Sequence, residues 1–311
     1  MNNLQKYLST CLLATAALLV GAAPAFAASS APSLGSAGDF AVLSVGTATP
    51  PSTTADGTAA VTTTRANITG NVGSAGAVSF GDAGTPSVIT GDVVLSGAYT
   101  QVPEAPPNAF SGSLITPLPV GVITDFNAAY AAFGDLKCTK TLTGTLAGVT
   151  LKPGIYCVSA EAKTGVLTLD AKGNANAVWI FLVDGALTGT NFTVNLVNGA
   201  TACNVYWWVK AAATLTTSDF KGTILAGAAI TTDGGTFEGR ALAKAAVTLT
   251  DATFVGCEGG TFNPPQQRCN QGVGNGTEGC DPGNSNQGNP FRSNDELGGV
   301  RGNPGKKGGN K

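Results

Sequence analysis

Between residues 204 and 254 the apolar positions fall into two kinds of run, each recurring every seventeen residues. In the first, neighbouring residues are all apolar: Tyr206-Trp207-Trp208-Val209, then Ile224-Leu225-Ala226, then Ala241-Leu242-Ala243, with Val178-Trp179-Ile180-Phe181 upstream. In the second, apolar and polar residues alternate. Ala213, Ile230 and Val247 form one column and Leu215, Thr232 and Leu249 another. Thr214, Thr231 and Thr248 lie between them, with Thr216, Asp233 and Thr250 beyond. Phe220, Phe237 and Phe254 keep the same spacing, as do Gly222, Gly239 and Gly256, and Ala212, Ala229 and Ala246. A fixed short period marks a solenoid, here with coils 204–220, 221–237 and 238–254. Val, Ile, Thr and aromatic residues with Gly at the corners predict strands rather than helices. An earlier turn, Ala186-Leu187-Thr188 to Phe192, matches Thr214-Leu215-Thr216 to Phe220 at an offset of 28, one coil plus an insertion of eleven. That match predicts that Ala186 and Thr188 extend the two outward columns by one coil.

The two kinds of run have different surroundings. Strand side chains alternate between faces, so the alternating segment points Leu, Ile and Val inward and its threonines outward. The fully apolar segment must be covered on both sides, by the solenoid interior and by a lid. Residues 122–133 supply the lid: Ile123, Phe126, Tyr130 and Phe133 recur at steps of three, four and three, one face of a helix that Gly134 is expected to stop. The helix is placed along the apolar wall, with a capping position at the solenoid end as the alternative. Further coils are predicted upstream, where Ile68-Thr-Gly-Asn-Val72 recurs as Ile89-Thr-Gly-Asp-Val93 at an interval of twenty-one. Thr47 to Thr64 reads as a loop because Pro50-Pro51 breaks any strand there, and Pro103 to Pro119 reads as a connection to the helix.

At the amino end, Lys6 precedes an apolar run from Leu8 to Val20, and Ala25-Phe26-Ala27 fits a cleavage site. Residues 1–27 are thus expected to be a signal peptide, 28–257 the solenoid domain, and 258–311 a largely disordered Gly/Asn-rich tail. The run is too short to span a bilayer, so the mature chain is expected to be exported without a membrane association. Cys11 leaves with the signal. The remaining Cys138, Cys157, Cys203, Cys257, Cys269 and Cys280 are an even number in an exported chain, which favours disulfides. Cys138 with Cys157, and Cys269 with Cys280, are the most local pairs; connectivity is otherwise open.

Charge and composition narrow the chemistry. The 311 residues hold 17 Lys+Arg and 19 Asp+Glu, and charged residues make up only 12%, against roughly 25% in an ordinary soluble domain. A net charge of -2 leaves no basic footprint for nucleic acid. Without a single histidine there is no histidine-based triad and no His-ligated zinc site. Asp233, Asp251, Lys221 and Glu238 are read as solvated surface charges rather than a glycan-cleaving cluster. No catalytic residue, metal site or cofactor is expected.

What remains is the outward threonine wall. Adjacent strands lie about 4.8 Å apart, and residues i and i+2 about 6.7 Å apart along a strand. Threonine is stiff at χ1, so ranked coils give a rigid grid of methyl and hydroxyl groups. Spacings of this size can order water in an ice-like pattern, which charge would disturb.

Several segments resemble the ice-binding-like proteins, which share a discontinuous β-solenoid. These are Leu151-Lys-Pro-Gly-Ile-Tyr156, Gly165-Val-Leu-Thr-Leu-Asp170, Asn176-Ala-Val-Trp-Ile-Phe181 and Asn198-Gly-Ala-Thr-Ala-Cys-Asn-Val-Tyr-Trp207. Phe220-Lys-Gly-Thr-Ile-Leu225, Gly239-Arg-Ala-Leu-Ala243 and Leu34-Gly-Ser-Ala-Gly-Asp-Phe-Ala-Val-Leu43 belong to the same pattern. The resemblance covers about residues 34–256. It implies a mostly β, right-handed, three-faced discontinuous solenoid with one long helix along a face. It also implies a secreted protein that adsorbs to ice through a flat face, inhibiting growth or recrystallisation. Carried onto this chain, that role falls on Thr188, Thr214, Thr216, Thr231, Thr248 and Thr250, with Asp233 and Ala186 as departures. The alternative is an extracellular adhesin or envelope structural protein that uses the same solenoid without ice activity and touches cell-envelope polymers.

Overall fold

The computed structural model describes residues 30–47, 57–81, 86–101 and 110–257. The expected signal peptide, the tail, and Cys269 and Cys280 lie outside these residues. The described strands join one continuous, entirely parallel ladder that winds into coils with three walls.

The chain does not enter the stack at an end. Strands from 140 to 256 build coils in sequence order, and Phe40–Ser44 then pairs with 241–243 on one side and 71–74 on the other. Val247–Thr250 likewise pairs with Ala60–Thr64, and Thr253–Gly256 with Asn67–Thr69. One coil is therefore composite, two of its walls drawn from 247–256 and the third from 42–44. The coils of 60–115 continue the stack beyond it. Ile68 faces Ile89 and Val72 faces Val93, as the twenty-one-residue recurrence predicted.

Side-chain alternation explains each wall. Inside the coils an aromatic column runs from Tyr156 through Phe181, Trp207, Phe220 and Phe237 to Phe254. Successive ring centroids in this column are 3.9–5.8 Å apart, with Trp207 and Phe220 joined across one coil and the other pairs lying between neighbouring coils. Offset and tilted rings at these distances add attraction beyond their buried area. At the corner leading onto the apolar wall, coil backbones pass so closely that a Cβ on Gly239 would sit 2.0 Å from the Gly222 carbonyl oxygen, and Gly239 has φ +144°. The glycine column at 222, 239 and 256 is thus required by close backbone approach.

The apolar wall is covered as expected. A helix, Val120–Gly134, lies along it and buries Val122, Ile123, Phe126, Ala129 and Phe133 against Leu43, Val94, Ile180, Leu182, Leu225 and Leu242. Fully burying side chains of this size stabilises by about 1.5–3 kcal/mol each. Polar ties fix the helix: the Trp208 indole donates to the Tyr130 carbonyl at 2.9 Å, and Ser36 donates twice to Asp125. Gly134 is the last residue of the helix, and its role is proximity: a Cβ there would meet the Trp208 ring at 3.0 Å.

Two expectations need correction. Thr47–Thr64 is not a loop throughout, because Ala60–Thr64 is a strand in the ladder. Pro50-Pro51 lies outside the described residues and does not prevent a strand further along the chain. The offset between the 187 and 213 coils is 26, not 28, so Thr188 stands opposite Thr214 and Thr190 opposite Thr216. Disulfides join Cys138 to Cys157 and Cys203 to Cys257.

Candidate functional site

The alternating segment of each coil forms one wall, and its register ranks the threonines. The first outward rank holds Thr188, Thr214, Thr231, Thr248, Thr62, Ser79 and Thr100 in seven consecutive coils. The second holds Thr190, Thr216, Asp233, Thr250, Thr64 and Gly81. Their inward neighbours Leu187, Ala213, Ile230, Val247, Val61 and Val78 are at most 1% exposed, so the strands are held from beneath by close packing. Six intervals of about 4.8 Å make the wall nearly 29 Å long.

All six threonines expected from the sequence lie on this one wall. Ala186 does not belong to either threonine rank. It falls beside Ala212, at the head of a third outward column that continues through Ala229, Ala246, Ala60, Ala77 and Ala98. The wall is thus three positions wide, one methyl rank beside two threonine ranks. Sequence reasoning missed Thr190, Thr62, Thr64, Ser79 and Thr100. For Thr190 the signal was the true offset of 26. For the others it was the Ala-x-Thr spacing in Ala60-Val61-Thr62 and Ala98-Tyr99-Thr100, which repeats Ala212-Ala213-Thr214.

The wall has a regular edge. The corner column Asn191, Thr217, Gly234, Asp251 and Arg65 adopts positive φ throughout, from 45° to 70°. These five coils therefore turn off the wall at the same register position, each through a residue of left-handed backbone conformation. Within the grid only Asp233 is charged, and it is exposed. Arg65 and Asp251 sit at the corner and pair with each other at 2.6 Å.

The other two walls differ. One is under the helix. The third carries the charges: Lys221 pairs with Asp219 at 2.9 Å and with Glu238 at 3.4 Å. Lys221, Glu238 and Asp251 are thus each committed to an ion pair. Among the described residues no group of three or more His, Cys, Asp or Glu is placed to hold a metal ion. A cleft of about 430 Å³ opens between the third wall and the helix wall, bordered by Ser33, Asp39, Asn204, Tyr206 and Arg240. The Arg240 Nε there donates to the Gly38 carbonyl at 2.8 Å, tying down the N-terminal segment.

Comparison with known proteins addresses what such a wall belongs to. The family model described as ice-binding-like matches residues 53–255. The chain belongs to the ice-binding-like family. The ice-binding protein K3-B1 of Typhula ishikariensis is 33% identical over 229 residues, covering 71% of this chain and 86% of that relative. An ice-binding protein of a Nostoc strain is 38% identical over 152 residues, which span 47% of this chain and 56% of the relative's length. Among solved structures, an ice-binding protein from an Antarctic biological consortium superposes with a TM-score of 0.56. It has 32% identity, covering 73% of this chain and 91% of its own. That of Antarctomyces psychrotrophicus gives 0.53 at 28% identity, covering 73% and 98%. This ice-binding-like chain shares their fold and builds its own solenoid from non-consecutive parts.

Proposed function

We propose that the protein is secreted and adsorbs to ice through the threonine wall, slowing ice growth or recrystallisation without catalysis. The observation that carries this reading is the wall itself. Seven coils present ranked methyl and hydroxyl groups on one side that no other described element covers, with one charge among them. Adsorption needs a stiff surface, because water ordered over it must match a lattice. The strands provide that stiffness from below and threonine's restricted χ1 provides it above. Charge oriented toward water would hold its own hydration shell and break the match, so its depletion is a requirement and not only a compositional habit. Family membership supports the same reading.

The decisive measurement is thermal hysteresis and recrystallisation inhibition of the wild type and of Thr231→Tyr. A tyrosine at the third of the first rank's seven positions holds the wall away from the lattice, and most activity is expected to vanish while the melting curve stays unchanged. Full activity in that variant would exclude this wall as the site. Asp233 inside the grid favours a second reading, an exported adhesin or envelope component touching envelope polymers. Binding to cell-wall polysaccharide with no thermal hysteresis would select it. Export is checked by the mature N-terminus, expected at residue 28.

A further inference from the structure

Resting on the ice-adsorption reading above, we propose that the third wall carries a second, smaller ice-contacting facet, formed by Thr253–Gly256, Asn67–Thr69 and Val88–Thr90. These three strands are consecutive in the ladder, with Thr253 opposite Asn67 and Asn67 opposite Val88 in one outward rank, and Val255, Thr69 and Thr90 in the other. All six side chains are exposed and none is charged. The wall's ion-paired residues, Asp219, Lys221 and Glu238, stop one coil short of them.

The valines make the patch unusual. Among the described residues, Val88 at 46% and Val255 at 43% are two of the four large hydrophobic side chains left exposed. Val88 stands beside Asn67, and Val255 stands between Thr69 and Glu238, where the charged part of the wall ends. A surface meant only for liquid water gains nothing from ranked branched methyls, and one meant for a protein partner would expose a larger apolar area. A methyl-and-hydroxyl grid with no charge fits an uncharged, ordered solvent. Its repeats are those of the threonine wall, about 4.8 Å between coils and about 6.7 Å along each strand.

The facet is continuous with the first site through the chain. The coils that carry Thr248 and Thr250, Thr62 and Thr64, and Ser79 on the threonine wall carry these residues on the next. The intervening corner bears Asp251 and Arg65, whose charges neutralise each other across a two-pronged pair. A three-sided coil inclines the two facets, so they meet different planes of a crystal.

The test is ice-plane decoration by fluorescently labelled protein on a single-crystal hemisphere, read alongside thermal hysteresis. Wild type is expected to decorate two families of planes. Thr69→Tyr and Val255→Lys are each expected to lose one family and keep the other, with reduced hysteresis. Thr231→Tyr should keep the family that those variants lose. Asn195→Tyr, exposed on the same wall but on the far side of the ion pairs, should match wild type, and melting curves establish that every variant is folded. If Thr69→Tyr and Val255→Lys both decorate and inhibit as wild type does, or if Thr231→Tyr abolishes all decoration, the second facet does not exist. A wild type that decorates no plane removes the primary reading as well, so the two failures are distinguishable.

Discussion

Thr231 and Thr232 are adjacent and chemically identical, yet strand alternation gives them opposite work. Thr231 faces the wall's surface. Thr232 is 3% exposed, and its hydroxyl has no hydrogen-bond partner. A buried unpaired hydroxyl costs about 1–3 kcal/mol. Thr232→Val keeps the shape and removes that hydroxyl, so it is expected to raise stability by about 1 kcal/mol in a urea melt and to leave hysteresis unaltered. Asp233→Thr makes the second rank five consecutive threonines from coil to coil and is expected to raise hysteresis, with stability within about 0.5 kcal/mol of wild type. Acid sensitivity resides elsewhere. The Lys172 side chain, the Asn198 amide and the Lys172 backbone N–H all donate to Asp170 and hold its carboxyl at about 2, below the ordinary 3.8. Because the folded-state value is the lower one, this contribution is complete above about pH 4 and disappears as the pH falls toward 2. Asp170→Asn should flatten the loss of stability across that window, as read by urea midpoints at pH 5, 3.5 and 2.5.

Among the elements, the helix and the coils were legible in the sequence to different depths. Its apolar steps of three and four placed the helix on the doubly apolar wall, because side chains that need a cover and a stripe that needs a partner identify each other. Phe126→Ala tests that packing: Phe126 is fully buried, and its truncation is expected to cost about 3–5 kcal/mol in thermal or urea unfolding. The seventeen-residue coils were equally plain. What misled was Phe192. Aligning it with Phe220 gave an offset of 28, whereas Phe192 stands opposite Ser218 and only tilts toward Phe220, with centroids 6.4 Å apart. An even error preserves alternation, so the inward and outward faces came out right while the rank was wrong by one place. The strand at 60–64 was hidden for another reason. Its pairing partners at 247–250 lie far away along the chain, and no local pattern announces a pairing of that range. Three of the wall's seven coils therefore lay outside the seventeen-residue repeat, marked only by the short Ala-x-Thr spacing.

At the scale of the molecule, the helix closes the chain's return along the stack. The wall beneath it has ten strands, from 114–115 at one end to 140–142 at the other. Nine intervals of about 4.8 Å require a span of roughly 43 Å. The fifteen-residue helix supplies about 22 Å. The nine residues flanking it at 116–119 and 135–139 can supply up to about 30 Å more when extended. That leaves a slack of roughly 9 Å, more than the 4.8 Å that one further coil would take. Duplicating 221–237 after Phe237, with Thr replacing Asp233 in the added copy, repeats a register that already exists between neighbouring coils. The lengthened protein is expected to fold, to keep its melting temperature within a few degrees, and to show greater hysteresis because its wall has gained a rung. A copy one residue shorter exchanges inside and outside for every following strand and should not fold. If the lengthened protein folds but its hysteresis does not rise, wall length is not what limits adsorption.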